Sequence, residues 1–189
     1  MVISPVSSLI RPLPPLALYV HIPWCVQKCP YCDFNSHALK QGLPETAYVD
    51  ALLEDLEADL FRVPGRELSS IFIGGGTPSL LSADAIGRLL AGFKHRIPFA
   101  DDIEITMEAN PGTVEAGRFA GFQAAGINRI SIGVQSFDPT QLQKLGRIHD
   151  PEQASSAARQ AAGLGLRSFN LDLMHGLPGQ TLEQALDDE

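Results

Sequence analysis

Apolar residues along this chain follow two alternating rhythms. In the first, a short apolar or alternating run stops abruptly in turn residues. Leu16 to His21 is stopped by Pro23, Ser70 to Ile73 by Gly74-Gly75-Gly76, and Ile103 to Glu108 by Asn110-Pro111-Gly112. Arg129 to Val134 is followed by Gln135, and Ser168 to Met174 runs into Gly176-Leu177-Pro178-Gly179. These five runs predict β-strands. In the second rhythm, apolar positions recur at helical spacing. Tyr48, Leu52, Leu56 and Leu60 stand four apart. Ser82 is placed to cap a helix carrying Ile86, Leu89, Leu90 and Phe93. Phe119 and Phe122 share a face that ends at Gly126. Asp150, Pro151 and Gln153 have the spacing of a capping box with proline at the first helical position, and Thr181 with Gln184 repeats the box.

Alternating strands and helices predict an α/β fold of parallel strands joined by right-handed crossovers. Two arrangements fit, a doubly wound open sheet and a partial (β/α) barrel, and both put function at the C-terminal ends of the strands. Residues 1–15 carry four prolines (Pro5, Pro12, Pro14, Pro15) and read as a flexible tail before a core over 16–189. The last predicted helix is short for an isolated one. The chain therefore reads as the N-terminal portion of a longer protein, truncated within its core.

Composition narrows the function. Apolar residues make up 44% of the 189 positions, enough for a sizeable core. The net charge of -8 leaves no excess of cations to displace counterions, so a general nucleic-acid binder is not expected. No stretch has the length and composition of a membrane-spanning helix, and the N-terminus lacks the order of a secretory signal. Three cysteines, an odd number in one short stretch, point away from a disulfide framework and toward a reducing compartment, the cytoplasm.

Those cysteines form C-x3-C-x2-C, Cys25, Cys29 and Cys32, just after the first strand. Three thiolates at this spacing can converge on one centre. Zinc would complete a tetrahedron with a histidine such as His21 or His37; an iron–sulfur cubane would take three thiolates and keep one iron open. Zinc sites often pair two ligand hooks, and no second hook is present. Gly74-Gly75-Gly76-Thr77 reads either as a tight turn or as backbone open to a ligand. Glu108, Gln135 and Asp172 stand at or near strand ends, where a carboxylate or amide can bond hydroxyls or an ammonium group. The guanidinium of Arg147 suits a carboxylate.

C-x3-C-x-aromatic-C, with Tyr31 as the aromatic, resembles the signature of the radical S-adenosylmethionine (SAM) superfamily. Five ordered motifs resemble, more narrowly, the oxygen-independent coproporphyrinogen III oxidase family: Tyr19-Val-His-Ile-Pro-Trp-Cys25, Gly74-Gly-Gly-Thr-Pro78, Glu108-Ala-Asn-Pro-Gly112, Ser131-Ile-Gly-Val-Gln135 and Asn170-Leu-Asp-Leu-Met-His-Gly-Leu-Pro-Gly179. The resemblance runs from about Leu16 to the last residue. It implies a partial (β/α) barrel of the radical SAM type. It implies a [4Fe-4S] cluster on Cys25, Cys29 and Cys32, with SAM on the open iron. It implies SAM contacts from Tyr19, Gly75, Gly76, Thr77, Glu108, Gln135, Arg147 and Asp172. The reduced cluster would cleave SAM to methionine and a 5′-deoxyadenosyl radical.

Within that family two functions fit, so whether the protein is an enzyme stays open at this point. One is oxidative decarboxylation of porphyrinogen propionates to vinyls in porphyrin biosynthesis. The other is the haem-chaperone branch, whose members keep the cluster and SAM sites but bind haem as cargo and deliver it to recipient haemoproteins, membrane-associated respiratory proteins being candidates. Family oxidases usually carry a fourth cysteine two residues after the third, and Phe34 stands there; Cys25 also comes early in the chain. Both departures favour the chaperone. A zinc-stabilised binding module is the alternative from a different class. The resemblance names no haem ligands within this chain and leaves the electron donor unknown.

Overall fold

The computed structural model describes residues 13–40, 42–112 and 117–188. Of the expected tail, residues 1–12 lie outside the described residues; Leu13 to Pro15 are exposed, and the Pro14 carbonyl accepts a hydrogen bond from the Arg66 guanidinium.

Five parallel strands form one sheet: β1 (Leu16–Ile22), β4 (Leu68–Gly75), β5 (Phe99–Ala109), β6 (Arg129–Gln135) and β7 (Ser168–Leu173), in the spatial order β1-β4-β5-β6-β7. Each predicted run is a strand. A two-stranded ribbon that the apolar pattern did not reveal, β2 (Trp24–Cys25) with β3 (His37–Ala38), brackets the cysteine loop. The helices are α1 (Glu45–Asp59), α2 (Ala83–Arg96), α3 (Phe119–Ala125), α4 (Pro139–Lys144), α5 (Pro151–Gly163) and α6 (Leu182–Asp187). The five large strands lie side by side in chain order with no reversal. A doubly wound sheet reverses at its switch point, so the arrangement is the partial barrel.

The core lies between this sheet and its helices. Strand side chains alternate, and Val20, Ile71, Ile73, Ile105, Met107, Ile130, Ile132 and Val134 share one buried cluster with Ile86, Leu89, Leu90 and Phe93 of α2 and Phe119 and Phe122 of α3. In α1 the four-residue stripe proved to be a shoulder. Val49 and Leu53 are the buried centre, while Tyr48, Leu52, Leu56 and Leu60 pack along its edge. Helix ends follow the expected caps. The Ser82 hydroxyl accepts from the Ala85 amide, both capping boxes are formed, and Gly126 ends α3 in the left-handed region at φ 116°. Glu45 links two helices, accepting from the Ser82 amide (2.6 Å) and hydroxyl (2.8 Å).

The opposite face of the sheet is polar. In parallel register, Thr106 stands beside Arg129, Glu108 beside Ser131, and Ser131 beside Asn170. A face of this kind is a cavity wall rather than a packed interior, and it leads to the C-terminal strand ends.

Candidate functional site

The Cys25–Cys32 loop is held at its base by backbone. The His37 amide donates to the Pro23 carbonyl (2.7 Å) and the Leu39 amide to the Cys25 carbonyl (2.8 Å), while a turn joins the Cys32 amide to the Cys29 carbonyl (3.1 Å). All three thiols are free and line one cavity of about 580 Å³ at the strand ends; Cys25 is buried, the other two half-buried.

The glycine segment explains its own composition. A Cβ on Gly76 would stand 2.6 Å from the Trp24 carbonyl oxygen and 3.0 Å from the Cys25 sulfur; one on Gly75 would meet the His21 ring at 2.7 Å. Only glycine lets the cysteine strand pass this close. The segment's amides are engaged within the protein: Gly75 donates to Glu108 Oε2 (3.1 Å), Gly76 to Ile22 (2.7 Å) and Thr77 to Trp24 (2.7 Å). The segment can therefore present carbonyl oxygens and the Thr77 hydroxyl to a ligand, but not a cradle of amides.

Glu108, Gln135 and Asp172 line the same cavity. Burial pushes the Glu108 carboxyl above its usual range, and the nearby Asp172 charge adds to this; the Gly75 amide and His21 oppose it. Asp172 accepts from the Ser131 hydroxyl (2.9 Å) and from Asn170 Nδ2 (2.6 Å). Gln135 adopts φ 72° where the β6–β7 register shifts, an uncommon conformation for a residue with a side chain.

Arg147 donates to Asn110 Oδ1 (2.8 Å) and the Gly133 carbonyl (2.5 Å), while its Nε is buried without a partner. Among the described residues no carboxylate lies within ion-pair distance of it. A buried donor left open on a cation fits an incoming carboxylate. Next to it, His149 is buried, with Nε2 against the Val134 carbonyl (3.0 Å). Burial, aided by Arg147, pushes its imidazole down to about 4.

Ten of the eleven expected residues thus share one cavity. Tyr19 lies on the same sheet face but outside the lining, stacked 6.3 Å from Phe72, with its hydroxyl 3.0 Å from His21 Nδ1. Sequence reasoning did not single out Asn110, Arg129, Ser131 and Asn170, which also line the cavity. Asn110 bridges Thr77 Oγ1 (3.2 Å) and Arg147; before Pro111 it reads only as a turn residue. The other three stand at alternating strand positions, and that period was their one available signal.

The donor set fits an iron–sulfur cluster. Three soft thiols face one cavity from a single loop. Among the described residues no three metal-binding side chains are gathered about one point; a metal site is often completed only when the metal binds. A zinc site completed by His21 fits less well. Both its ring nitrogens have partners, Tyr19 Oη (3.0 Å) and the Asn35 carbonyl (2.8 Å), and His37 is exposed.

The Radical SAM superfamily pattern matches residues 19–188. The chain belongs to the radical SAM superfamily. Within that superfamily it is 67% identical over 176 residues to the "Heme chaperone HemW" of Escherichia coli, covering 93% of this chain and 47% of that protein. It is 64% identical over 180 residues to the protein of the same name from Haemophilus influenzae, with the same coverage. Among solved structures, the coproporphyrinogen III oxidase HemN of Escherichia coli superposes with a TM-score of 0.83 at 34% identity, over 92% of this chain and 40% of that one. This radical SAM chain spans about half the length of the curated relatives it matches. No described helix is long and apolar enough to cross a membrane.

Proposed function

We propose that this radical SAM protein is a haem chaperone, binding haem as cargo and delivering it to recipient haemoproteins, with its cluster and SAM sites in the cavity described above. The observation that carries the cofactor part is the shared cavity. Three free thiols, an open guanidinium and two strand-end carboxylates face one space of about 580 Å³. In this reading Cys25, Cys29 and Cys32 hold a [4Fe-4S] cluster and leave one iron for SAM.

Arg147, which no carboxylate neutralises among the described residues, takes the methionyl carboxylate, with Asn110 fixing the guanidinium plane. Glu108 and Asp172 accept from the ammonium group or ribose hydroxyls, and Gln135 adds an amide beside them. Thr77 and the carbonyls of Gly75 and Gly76 complete the methionyl end, while Tyr19 closes the β1 side. When bound, the cluster and SAM supply reductive cleavage chemistry; the chain's own residues bind, orient and exclude water. The free thiols suit a reducing compartment, the cytoplasm.

Support for cargo over catalysis comes from Phe34, exposed on the cavity wall at the position where the family's oxidases place a further cysteine, and from 64–67% identity to proteins named haem chaperones. The second reading, coproporphyrinogen oxidase activity, has the superposition on HemN in its favour.

Anaerobic reconstitution with iron and sulfide, followed by addition of SAM, reductant and either haem or coproporphyrinogen III, separates the two. Retained stoichiometric haem without CO2 release is expected. Sustained CO2 release without haem retention would reverse the ranking. A colourless zinc protein, or a brown chromophore that survives replacement of all three cysteines by alanine, would refute the cluster assignment.

A further inference from the structure

The cavity holds a second cation that the SAM reading does not use. Arg129 opens β6 and lines the cavity at its deep end. It stands four residues before Gly133, whose carbonyl receives Arg147, so the rise of a strand separates the two levels by about 13 Å. The two guanidinium groups are held by different partners at different strand levels, Arg147 by Gly133 and Asn110 and Arg129 by Asn170 and Thr106.

The partners of Arg129 are neutral. One Nη2–H donates to Asn170 Oδ1 (2.5 Å), and Nη1 makes a long contact with Thr106 Oγ1 (3.4 Å). Among the described residues no carboxylate lies within ion-pair distance. A guanidinium has five donors, so several have no partner among the described residues. Its position is also fixed in advance. Asn170 Nδ2 donates to Ser131 Oγ (3.0 Å) and Asp172 Oδ1 (2.6 Å), which turns Asn170 Oδ1 toward Arg129. Two carboxylates stand one residue away, Asp172 behind Asn170 and Glu104 behind the Thr106 hydroxyl that donates to it (3.2 Å), and neither pairs directly with Arg129. A half-buried cation with neutral partners and free donors on a cavity wall is a site for an anion, and its planar fork matches a carboxylate.

We infer that Arg129 anchors a carboxylate of a second ligand, distinct from SAM, that reaches down the inner face of the sheet. Under the proposed function that carboxylate is a haem propionate. The ligand's identity rests on the haem reading; the subsite itself does not.

Two arms test this with reconstituted protein and with Arg129→Gln and Arg129→Lys. In the first, thermal midpoints are measured in sodium propionate against equal sodium chloride. With the Arg147 carboxylate site removed, propionate is expected to raise the midpoint of Arg147→Gln and of Arg129→Lys/Arg147→Gln, but not that of Arg129→Gln/Arg147→Gln. In the second, haem and haem dimethyl ester, whose propionates are blocked, are titrated spectroscopically. Arg129→Gln should weaken haem binding about tenfold, or about 1.4 kcal/mol, leave ester binding unchanged, and be partly rescued by lysine. A propionate response that is absent from Arg147→Gln or survives in Arg129→Gln/Arg147→Gln overturns the subsite, as does equal loss of haem and its ester. An Arg129-dependent propionate response with no haem binding by the parent supports the subsite and sinks the haem reading.

Discussion

Acidification should unlock the segment that carries Arg147, and the size of the effect can be worked out from His149. Its imidazole is buried, bonded through Nε2 to the Val134 carbonyl, and faced by Arg147 and Asp150; its Nδ1 is buried without a partner. Burial and the Arg147 charge hold its pKa at about 4, against 6.5 for the free side chain. Above pH 6.5 both folded and unfolded chains carry neutral imidazole, so the group adds no pH dependence. Between 6.5 and about 4 the unfolded chain takes up a proton that the folded chain refuses, and stability falls as pH falls. The slope approaches about 1.4 kcal/mol per pH unit, and the loss totals roughly 3 kcal/mol when the folded imidazole finally protonates. Urea unfolding from pH 7.5 to 4.5 measures it. Carboxylates titrate in the same window, so the comparison is with His149→Gln, whose amide can keep the bond to Val134. The parent should lose more stability than the variant, most of the difference appearing below pH 6. Parallel curves would refute the reasoning, because they would mean that His149 protonates freely in the folded protein.

Glu108→Gln should stabilise the ligand-free protein at neutral pH while abolishing SAM binding in calorimetry. The raised Glu108 pKa means its ionised form disfavours folding. The advantage of the variant is therefore full above the folded pKa and vanishes as pH falls below the ordinary carboxylate range; a lower melting temperature for the variant at pH 7.5 contradicts this. Gln135→Gly should be more stable than Gln135→Ala by about 1 kcal/mol in urea unfolding, since only glycine adopts φ 72° without Cβ strain; equal unfolding free energies would remove the strain argument. Ser82→Ala should cost about 1–2 kcal/mol in urea unfolding, because it removes the α2 cap and one of the bonds that hold Glu45. No measurable loss would mean that water replaces both.

Elements were legible in the sequence wherever one local rule decided them. Five apolar runs ended in turn residues and became β1, β4, β5, β6 and β7, and caps at Ser82, Asp150 and Thr181 act within four residues of themselves. Motif resemblance placed ten residues that prove to share a cavity. The α1 stripe misled by one position, because the buried line of a helix depends on what it packs against, here Val49 and Leu53 toward the core. The β2–β3 ribbon, two residues each, carries too short a pattern to register.

By itself the sequence determined that strands and helices alternate, that three thiols share one loop, and which residues stand at strand ends, since each depends on spacing along a single segment. Only the tertiary structure decided the winding, with β1-β4-β5-β6-β7 in unreversed order. It alone showed that the amides of Gly75, Gly76 and Thr77 are engaged, and that Arg129 and Arg147 lie at different depths of one cavity with no acidic partner among the described residues. The physical reason is common to all of these. Hydrogen-bond satisfaction and charge pairing depend on distances between segments far apart in the chain, and those distances exist only once the strands are in register.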